Sequence, residues 1–211
     1  MPQTKRAEDD ILRQLTEAAQ RAYKRGLQTG NGGNMSARIS GADRMLVTAS
    51  GGSFMDCDAG GGGWVSADFD GAALPDQGPA PSRESTLHGF LYRRYPRVMA
   101  VVHCHAPYSI AWAAAEDTLP FVSWQASMKL GYPVPVIAQR QPAVSLAECD
   151  QIAACLERAP GLLCFLLREH GLVAMGPTPL EAEHLAEFVE ECAQIAVHKR
   201  LMGVQLFAGT A

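Results

Sequence analysis

Two histidines one residue apart, His103 and His105, close the run Val101-Val102-His103-Cys104-His105-Ala106-Pro107. In a strand, side chains two apart share a face with Cα atoms roughly 6.5 Å apart, so both imidazoles reach one place. Two ring nitrogens can then approach a single Zn²⁺ at about 2.0–2.1 Å, and zinc suits a site mixing imidazole with carboxylate. Cys104, between them, faces the other way and reads as a buried thiol acting as a small hydrophobe. His-x-His alone is a weak signal. The candidates that would strengthen it are Glu84, in Pro81-Ser82-Arg83-Glu84, and His170, in Arg168-Glu169-His170-Gly171-Leu172. Three histidines leave an open position on a catalytic zinc, with a carboxylate beside it.

A second kind of chemistry is suggested by the turns. Thr29-Gly30-Asn31-Gly32-Gly33-Asn34 lets backbone N–H groups converge on an anion without Cβ interference, and the Asn34 amide adds a donor. No Gly-Lys-Ser/Thr follows, so this is no nucleotide P-loop, and a plain hairpin turn explains the pattern equally well. Thr48-Ala49-Ser50-Gly51 is another small, hydroxyl-bearing turn. Two such turns side by side would grip one phosphate. His88, one helical turn beyond Glu84, reads as support or core packing, because the strand-borne pair fills the site more economically. His184 and His198 read as ordinary helix residues.

The elements that must position these groups follow from periodicity. Helices are predicted over residues 9–25, stopped at Gly26, over 82–95 with Ser82 as cap, over 107–115, over 145–158, and from the Thr178-Pro179-Leu180-Glu181 capping box to about 202. Strands are predicted over 35–39, 45–48, 64–69, 120–124, 134–137 (an edge, because of Pro135), 162–167 and 172–175. The glycine-heavy stretch 51–63 is expected to be a mobile surface loop without chemistry.

Length and composition bound the rest. At 211 residues, with 47% hydrophobic and 19% charged residues, the chain fits one globular domain, residues 1–211. A net charge of −4 offers no basic field for nucleic acid. The polar N-terminus and the lack of any run of ~18 apolar residues point to a soluble, cytoplasmic protein without membrane contact. Six scattered cysteines with no Cys-x-x-Cys pair fit reduced, separate thiols.

With these pieces placed, the chain resembles the class II aldolase/adducin-type family, and most closely its L-fuculose-1-phosphate aldolase group. The stretches that carry the resemblance are residues 30–36, Thr48-Ala49-Ser50-Gly51, Pro81-Ser82-Arg83-Glu84, residues 101–106 and Glu169-His170-Gly171-Leu172. They come in the family's order, and the set is specific although each part is weak. The resemblance implies an α/β fold: a three-layer α/β/α sandwich around a largely antiparallel central sheet, assembled as a homotetramer with sites between subunits. By the same resemblance His103, His105 and His170 are the ligands of Zn²⁺ (with Mn²⁺ or Co²⁺ as other metals), Glu84 is the acid/base, and Asn34, Ser50, Gly51 and Ser82 grip phosphate. The implied activity is cleavage of a ketose 1-phosphate into dihydroxyacetone phosphate and an aldehyde through a zinc-stabilised enediolate. Glutamate at position 84 resembles the aldolases, where related epimerases carry aspartate.

Three departures qualify that likeness. The position of the usual tyrosine donor aligns with Trp124, which is no phenolic acid. The tail, residues 202–211, has no tyrosine to close over an aldehyde. Arg83 replaces a small hydroxyl residue and can hold either phosphate or a carboxylate. Decarboxylation of a hydroxy or keto acid, or dehydration of a sugar phosphate, therefore stand as alternatives, and a non-catalytic adducin-like interaction domain as a third.

Overall fold

The computed structural model describes residues 3–75, 78–139, 141 and 143–206. A long helix α1 (Gln3–Lys24) precedes the hairpin strands β1 (Asn34–Arg38) and β2 (Arg44–Thr48), followed by β3 (Trp64–Asp68) and α2 (Ser85–Arg94). Next come β4 (Ala100–Cys104), α3 (Pro107–Ala115), β5 (Thr118–Leu119), α4 (Trp124–Leu130) and β6 (Val134–Ile137). Helix α5 (Leu146–Glu157), strands β7 (Cys164–Leu167) and β8 (Gly171–Gly176), and the long α6 (Pro179–Leu201) complete the chain.

One eight-stranded sheet, in the order β3-β2-β1-β4-β8-β7-β6-β5, carries everything else. It is mixed, where a largely antiparallel sheet was expected: β6 runs parallel to β7, while β4 pairs antiparallel with β1 and β8. Strand β4 sits inside the sheet and every one of its residues is buried. Alternation sorts its side chains: Ala100, Val102 and Cys104 join an apolar cluster that includes residues of α1, α3 and α6, whereas Val101 joins another with residues of α2 and α5. His103 therefore belongs to the α2 and α5 side and Cys104 to the opposite side. All six cysteines are free.

The helix following the two histidines is secured from elsewhere in the chain. Helix α3 starts at Pro107 with no capping side chain of its own at Ala106. Glu190 of α6 supplies the cap, accepting hydrogen bonds from the backbone N–H groups of Tyr108 and Ser109 at 2.8 Å each and from Ser109 Oγ at 2.7 Å. Helix α5 carries its own capping box, Ser145 with Glu148.

Several expectations need correction. Residues 120–124 are not a strand: Phe121 and Val122 are buried in an irregular segment, and Ser123 caps α4, which begins at Trp124. A short apolar run marks burial and does not by itself fix the backbone. Strand β6 is not an edge, because the two-residue β5 pairs beyond it; Pro135 is tolerated where that ladder is minimal. Helix α2 begins at Ser85, and its N-cap residue is Glu84, not Ser82. The stretch 51–63 is anchored: Phe54, in a 3₁₀ turn (Phe54–Asp56), is fully buried and its N–H donates to Gln28 Oε1 at 2.8 Å. Of the tail, residues 207–211 lie outside the described residues.

Helix α2 lies so close to the chain end of β3 that a Cβ on Gly89 would stand 1.9 Å from the carbonyl oxygen of Phe69. Gly89→Ala must push the helix outward, taking Glu84 with it. The expected outcome is a loss of about 1–3 kcal/mol or more, typical of overpacking, read as a lower midpoint in urea unfolding; an unchanged midpoint would show that α2 is loosely held.

Candidate active site

Strand β4 ends at Cys104, which puts His103 in the sheet and His105 just past its rim. The β7–β8 turn brings His170 alongside: ring centroids are 5.0 Å apart for His103 and His105, and 4.7 Å for His170 against each of them. Glu84 arrives from the N-terminus of α2. One donor atom from each of Glu84, His103, His105 and His170 lies within 4.8 Å of the others. The glycine turn makes this convergence possible. Gly33, at φ +85°, lies so close to β4 that a Cβ would meet the His103 carbonyl oxygen at 2.5 Å, and a Cβ on Gly32 would meet His105 Nδ1 at 2.8 Å.

Hydrogen bonds fix which ring nitrogens are available. His103 Nδ1 lies 2.9 Å from the carbonyl oxygen of Leu172, which can only accept, so Nδ1 carries the proton and Nε2 keeps its lone pair. His170 Nδ1 lies 2.7 Å from Gln139 Oε1, which imposes the same tautomer. Burial, with the neighbouring His105, pushes the His103 pKa down to about 3. Burial and the neighbouring His103 bring His170 to about 4, and burial lowers His105 as well. All three rings are thus neutral near pH 7, the form that binds a metal.

Glu84 completes the set in a revealing way. Its Oε2 accepts from Asn34 Nδ2 at 2.8 Å and stands 3.2 Å from His103 Nε2. Because that nitrogen is an unprotonated lone pair, the contact is no ion pair: two buried acceptors face each other. Glu84 Oε1 and His103 Nε2 have no hydrogen-bond partner among the described residues. Such a grouping is costly unless a cation sits among the lone pairs. Three neutral imidazoles and a carboxylate fit a divalent metal ion.

Beside this cluster opens a cleft of about 720 Å³, lined by Asn34, Ser50, Gly51, Ser82, Arg83 and Glu84 together with His105, Gln139, Arg168 and His170. The eight candidate site residues Asn34, Ser50, Gly51, Ser82, Arg83, Glu84, His105 and His170 therefore line one cleft, and the fully buried His103 joins them through the histidine cluster. Among the described residues nothing pairs with the Arg83 guanidinium, whereas Arg168 is held by Asp117 Oδ1 at 2.5 Å and the Ala113 carbonyl at 2.8 Å. Trp124 is 71% exposed and does not line the cleft. Sequence reasoning missed Gln139 because nothing in its spacing ties it to His170. It also missed Glu169, a non-glycine residue at φ +55° beside the third histidine.

The model of the class II aldolase and adducin N-terminal domain matches residues 13–197. A 3-oxo-tetronate 4-phosphate decarboxylase of Escherichia coli is 30% identical over 196 residues, covering 90% of this chain and 87% of its own. A methylthioribulose-1-phosphate dehydratase of Serratia proteamaculans is 29% identical over 208 residues, covering 92% and 98%. Among solved structures, an L-fuculose-1-phosphate aldolase of Thermus thermophilus superposes with a TM-score of 0.78 at 26% identity, covering 96% of this chain and 99% of that one.

The buried rings make stability depend on pH. An unfolded imidazole takes up its proton near pH 6.5, whereas burial holds His88 and His103 neutral down to about 3. The unfolded state binds the extra protons, so this stability is complete above about pH 6.5 and is lost as pH falls toward 3. Each ring contributes up to about 1.4 kcal/mol per pH unit. The urea midpoint of metal-free protein should drop between pH 7 and pH 5, and His88→Gln should lessen the drop; an equal drop in that variant would remove His88 from the account.

Proposed function

Because the chain belongs to the class II aldolase and adducin N-terminal domain family, we propose that it is a metal-dependent lyase that decarboxylates a small phosphorylated 3-oxo sugar acid. The observation that carries this reading is Arg83. It stands in the cleft wall beside Glu84 and the Ser50-Gly51 and Ser82 turns, with no protein anion paired to it among the described residues. A substrate carrying both phosphate and carboxylate needs one more cationic partner than a ketose phosphate does, and an unpaired guanidinium offers bidentate recognition. The decarboxylase and dehydratase relatives support this alternative better than the fuculose-1-phosphate-like aldolase expected from the sequence.

In this reading Asn34, Ser50, Gly51 and Ser82 hold the phosphate and fix the substrate's orientation by binding remote from the reacting bond. Arg83 holds the carboxylate before it leaves. The bond between the carboxylate carbon and the α-carbon breaks, its electron pair moves into the neighbouring ketone, carbon dioxide departs, and the α-carbon takes a proton. A divalent cation held by His103, His105 and His170, when bound, supplies Lewis acidity toward the negative charge that develops. Glu84, with Oε1 uncommitted, is the group that moves the proton. Zinc is the metal proposed, with Mn²⁺ or Co²⁺ as substitutes.

Dehydration is the second reading, supported by the relative that covers 92% of the chain, and it starts from a carbonyl compound held at the same site. An adducin-like interaction role is disfavoured, because it gives no reason to bury facing lone pairs. A homotetramer and a cytoplasmic location belong to the same proposal. Trp124 (71% exposed) and Met128 (83% exposed), one turn apart on α4, support a subunit contact, and no described helix is long and apolar enough to cross a membrane.

The test is carbon dioxide release from a panel of phosphorylated 3-oxo acids, with ketose 1-phosphates assayed in parallel for dihydroxyacetone phosphate. Chelator-sensitive carbon dioxide is expected; dihydroxyacetone phosphate from the ketoses alone would restore the aldolase reading. Glu84→Gln should lower turnover by about 10²–10⁴-fold, the usual share of general acid–base catalysis. Arg83→Gln should raise KM for the acid far more than for a phosphorylated ketose, and equal effects on both would remove the carboxylate contact.

A further inference from the structure

Strand β1 and helix α2 meet along a seam of polar contacts. Asn34, Ser36 and Arg38 project from one face of β1, and Glu84, His88 and Tyr92 succeed one another at one-turn intervals on α2. Asn34 Nδ2 bonds Glu84, Ser36 Oγ lies 2.6 Å from both His88 Nδ1 and Tyr92 OH, and Arg38 donates to the Tyr92 carbonyl oxygen. Two residues of strand advance about 6.6 Å and four of helix about 6.0 Å, so the steps stay matched.

The middle step has a direction. Tyr92 is fully buried, its phenol keeps its proton because burial raises the pKa, and a buried O–H needs an acceptor. Its O–H therefore donates to Ser36 Oγ, the one acceptor it has among the described contacts. The Ser36 hydroxyl must then donate to His88 Nδ1, which leaves the His88 hydrogen on Nε2. His88 is fully buried and neutral, yet that Nε2–H has no partner among the described residues. Two acceptors at the next step are in the same condition, Asn34 Oδ1 and Glu84 Oε1. A buried donor beside two buried acceptors, all unsatisfied, is where a bridging water makes up the count.

We propose that His88 is a positioning residue for Glu84: its Nε2–H, set in that tautomer by Tyr92 and Ser36, supplies the hydrogen bond, through one buried water, that holds the Asn34–Glu84 pair in its pose. With Oδ1 of Asn34 satisfied from the His88 side, the amide presents Nδ2, and not its oxygen, to the carboxylate. The inference rests on the proposed metal site, with the Glu84 carboxylate as fourth donor beside the three histidines when no substrate is bound, and its readouts do not need turnover.

Ring nitrogens of ¹⁵N-histidine-labelled, metal-free protein, with the His88 signals assigned by their absence from His88→Gln, report the tautomer directly. The expected result is Nε2–H in the wild type and a mixture in Ser36→Ala; an Nδ1–H His88 in the wild type would overturn the proposal. The second readout is affinity for Zn²⁺ alone, by competition with a chromophoric chelator. His88→Met, which lacks the donor, should bind about 10–100-fold more weakly, the usual cost of losing a group that orients a ligand. His88→Gln, whose amide N–H falls near Nε2, should keep wild-type affinity, a rescue that a merely space-filling role would not produce. Equal affinities in wild type and His88→Met would overturn the assignment. Should His88→Met fail to fold, Ser36→Ala carries the affinity test, with weaker binding expected and wild-type binding contradicting the relay. Absence of carbon dioxide from every acid, with both readouts as expected, would sink the decarboxylase reading and leave the role of His88 standing.

Discussion

The structure turns on two lone pairs held against each other in a dry interior: His103 Nε2 and Glu84 Oε2, 3.2 Å apart. On the imidazole side the Leu172 carbonyl ties the ring's only proton to Nδ1, and burial keeps a second from binding. Asn34 pins the carboxylate from the far side. The fold thus spends part of its stability holding an arrangement that favours a cation, which is how preorganised sites avoid reorganising when the metal arrives.

That constraint accounts for features that otherwise look unrelated. Strand β4 is an interior strand because its neighbours, β1 and β8, must supply both the Asn34 step and the Leu172 carbonyl; the register places Asn34 opposite His103 on one side and Val173 opposite His103 on the other. Glycines stand at two close crossings beside the cluster: a Cβ on Gly171 would meet the Cys104 carbonyl oxygen at 2.2 Å, as one on Gly33 would meet that of His103 at 2.5 Å. Side chains at these positions would widen the histidine triangle, so the turns read as anion grips also serve to let the backbone approach.

Much of this was legible before any coordinates. His103 and His105 declare themselves because period 2 in an apolar strand forces a shared face, and Pro107, Ser145 and Thr178 mark helix starts by chemistry that acts within a few residues. What was not legible is set by contacts distant in sequence. Gln139 orients His170 across 31 residues and Glu190 caps α3 across 82, and no local period encodes either. The misplaced strand at 120–124 and the misassigned edge at β6 have one cause: burial and pairing order are properties of the sheet, while a short apolar run looks the same in a strand and in a packed irregular segment. The sequence identifies Glu84 but sets it two positions too far into its helix, since Ser82 is the more usual cap. Its position at the N-cap matters, because a residue outside the regular helix can turn its carboxylate toward β1 instead of along the helix surface.

The two halves of the cleft are built differently, and this bears on how one scaffold supports several reactions. The metal-facing half, His103, Asn34 and Glu84 with His88 behind, lies on strands and a helix terminus locked by buried hydrogen bonds, where even a methyl group at Gly89 has no room. The half proposed to hold substrate, Ser50, Gly51, Ser82, Arg83 and Gln139, lies on turns and segments outside the regular elements, where substitution costs little stability. On the proposed reading, stabilising an enolate needs only the first half. Which bond is broken to reach that enolate, to a carboxylate, a hydroxyl or an aldehyde carbon, depends on which leaving group the second half holds out of plane with the carbonyl. On that reading one histidine cluster can serve several reactions, and the chemistry of this chain is to be sought in the turns around the cluster, Arg83 among them, more than in the cluster itself.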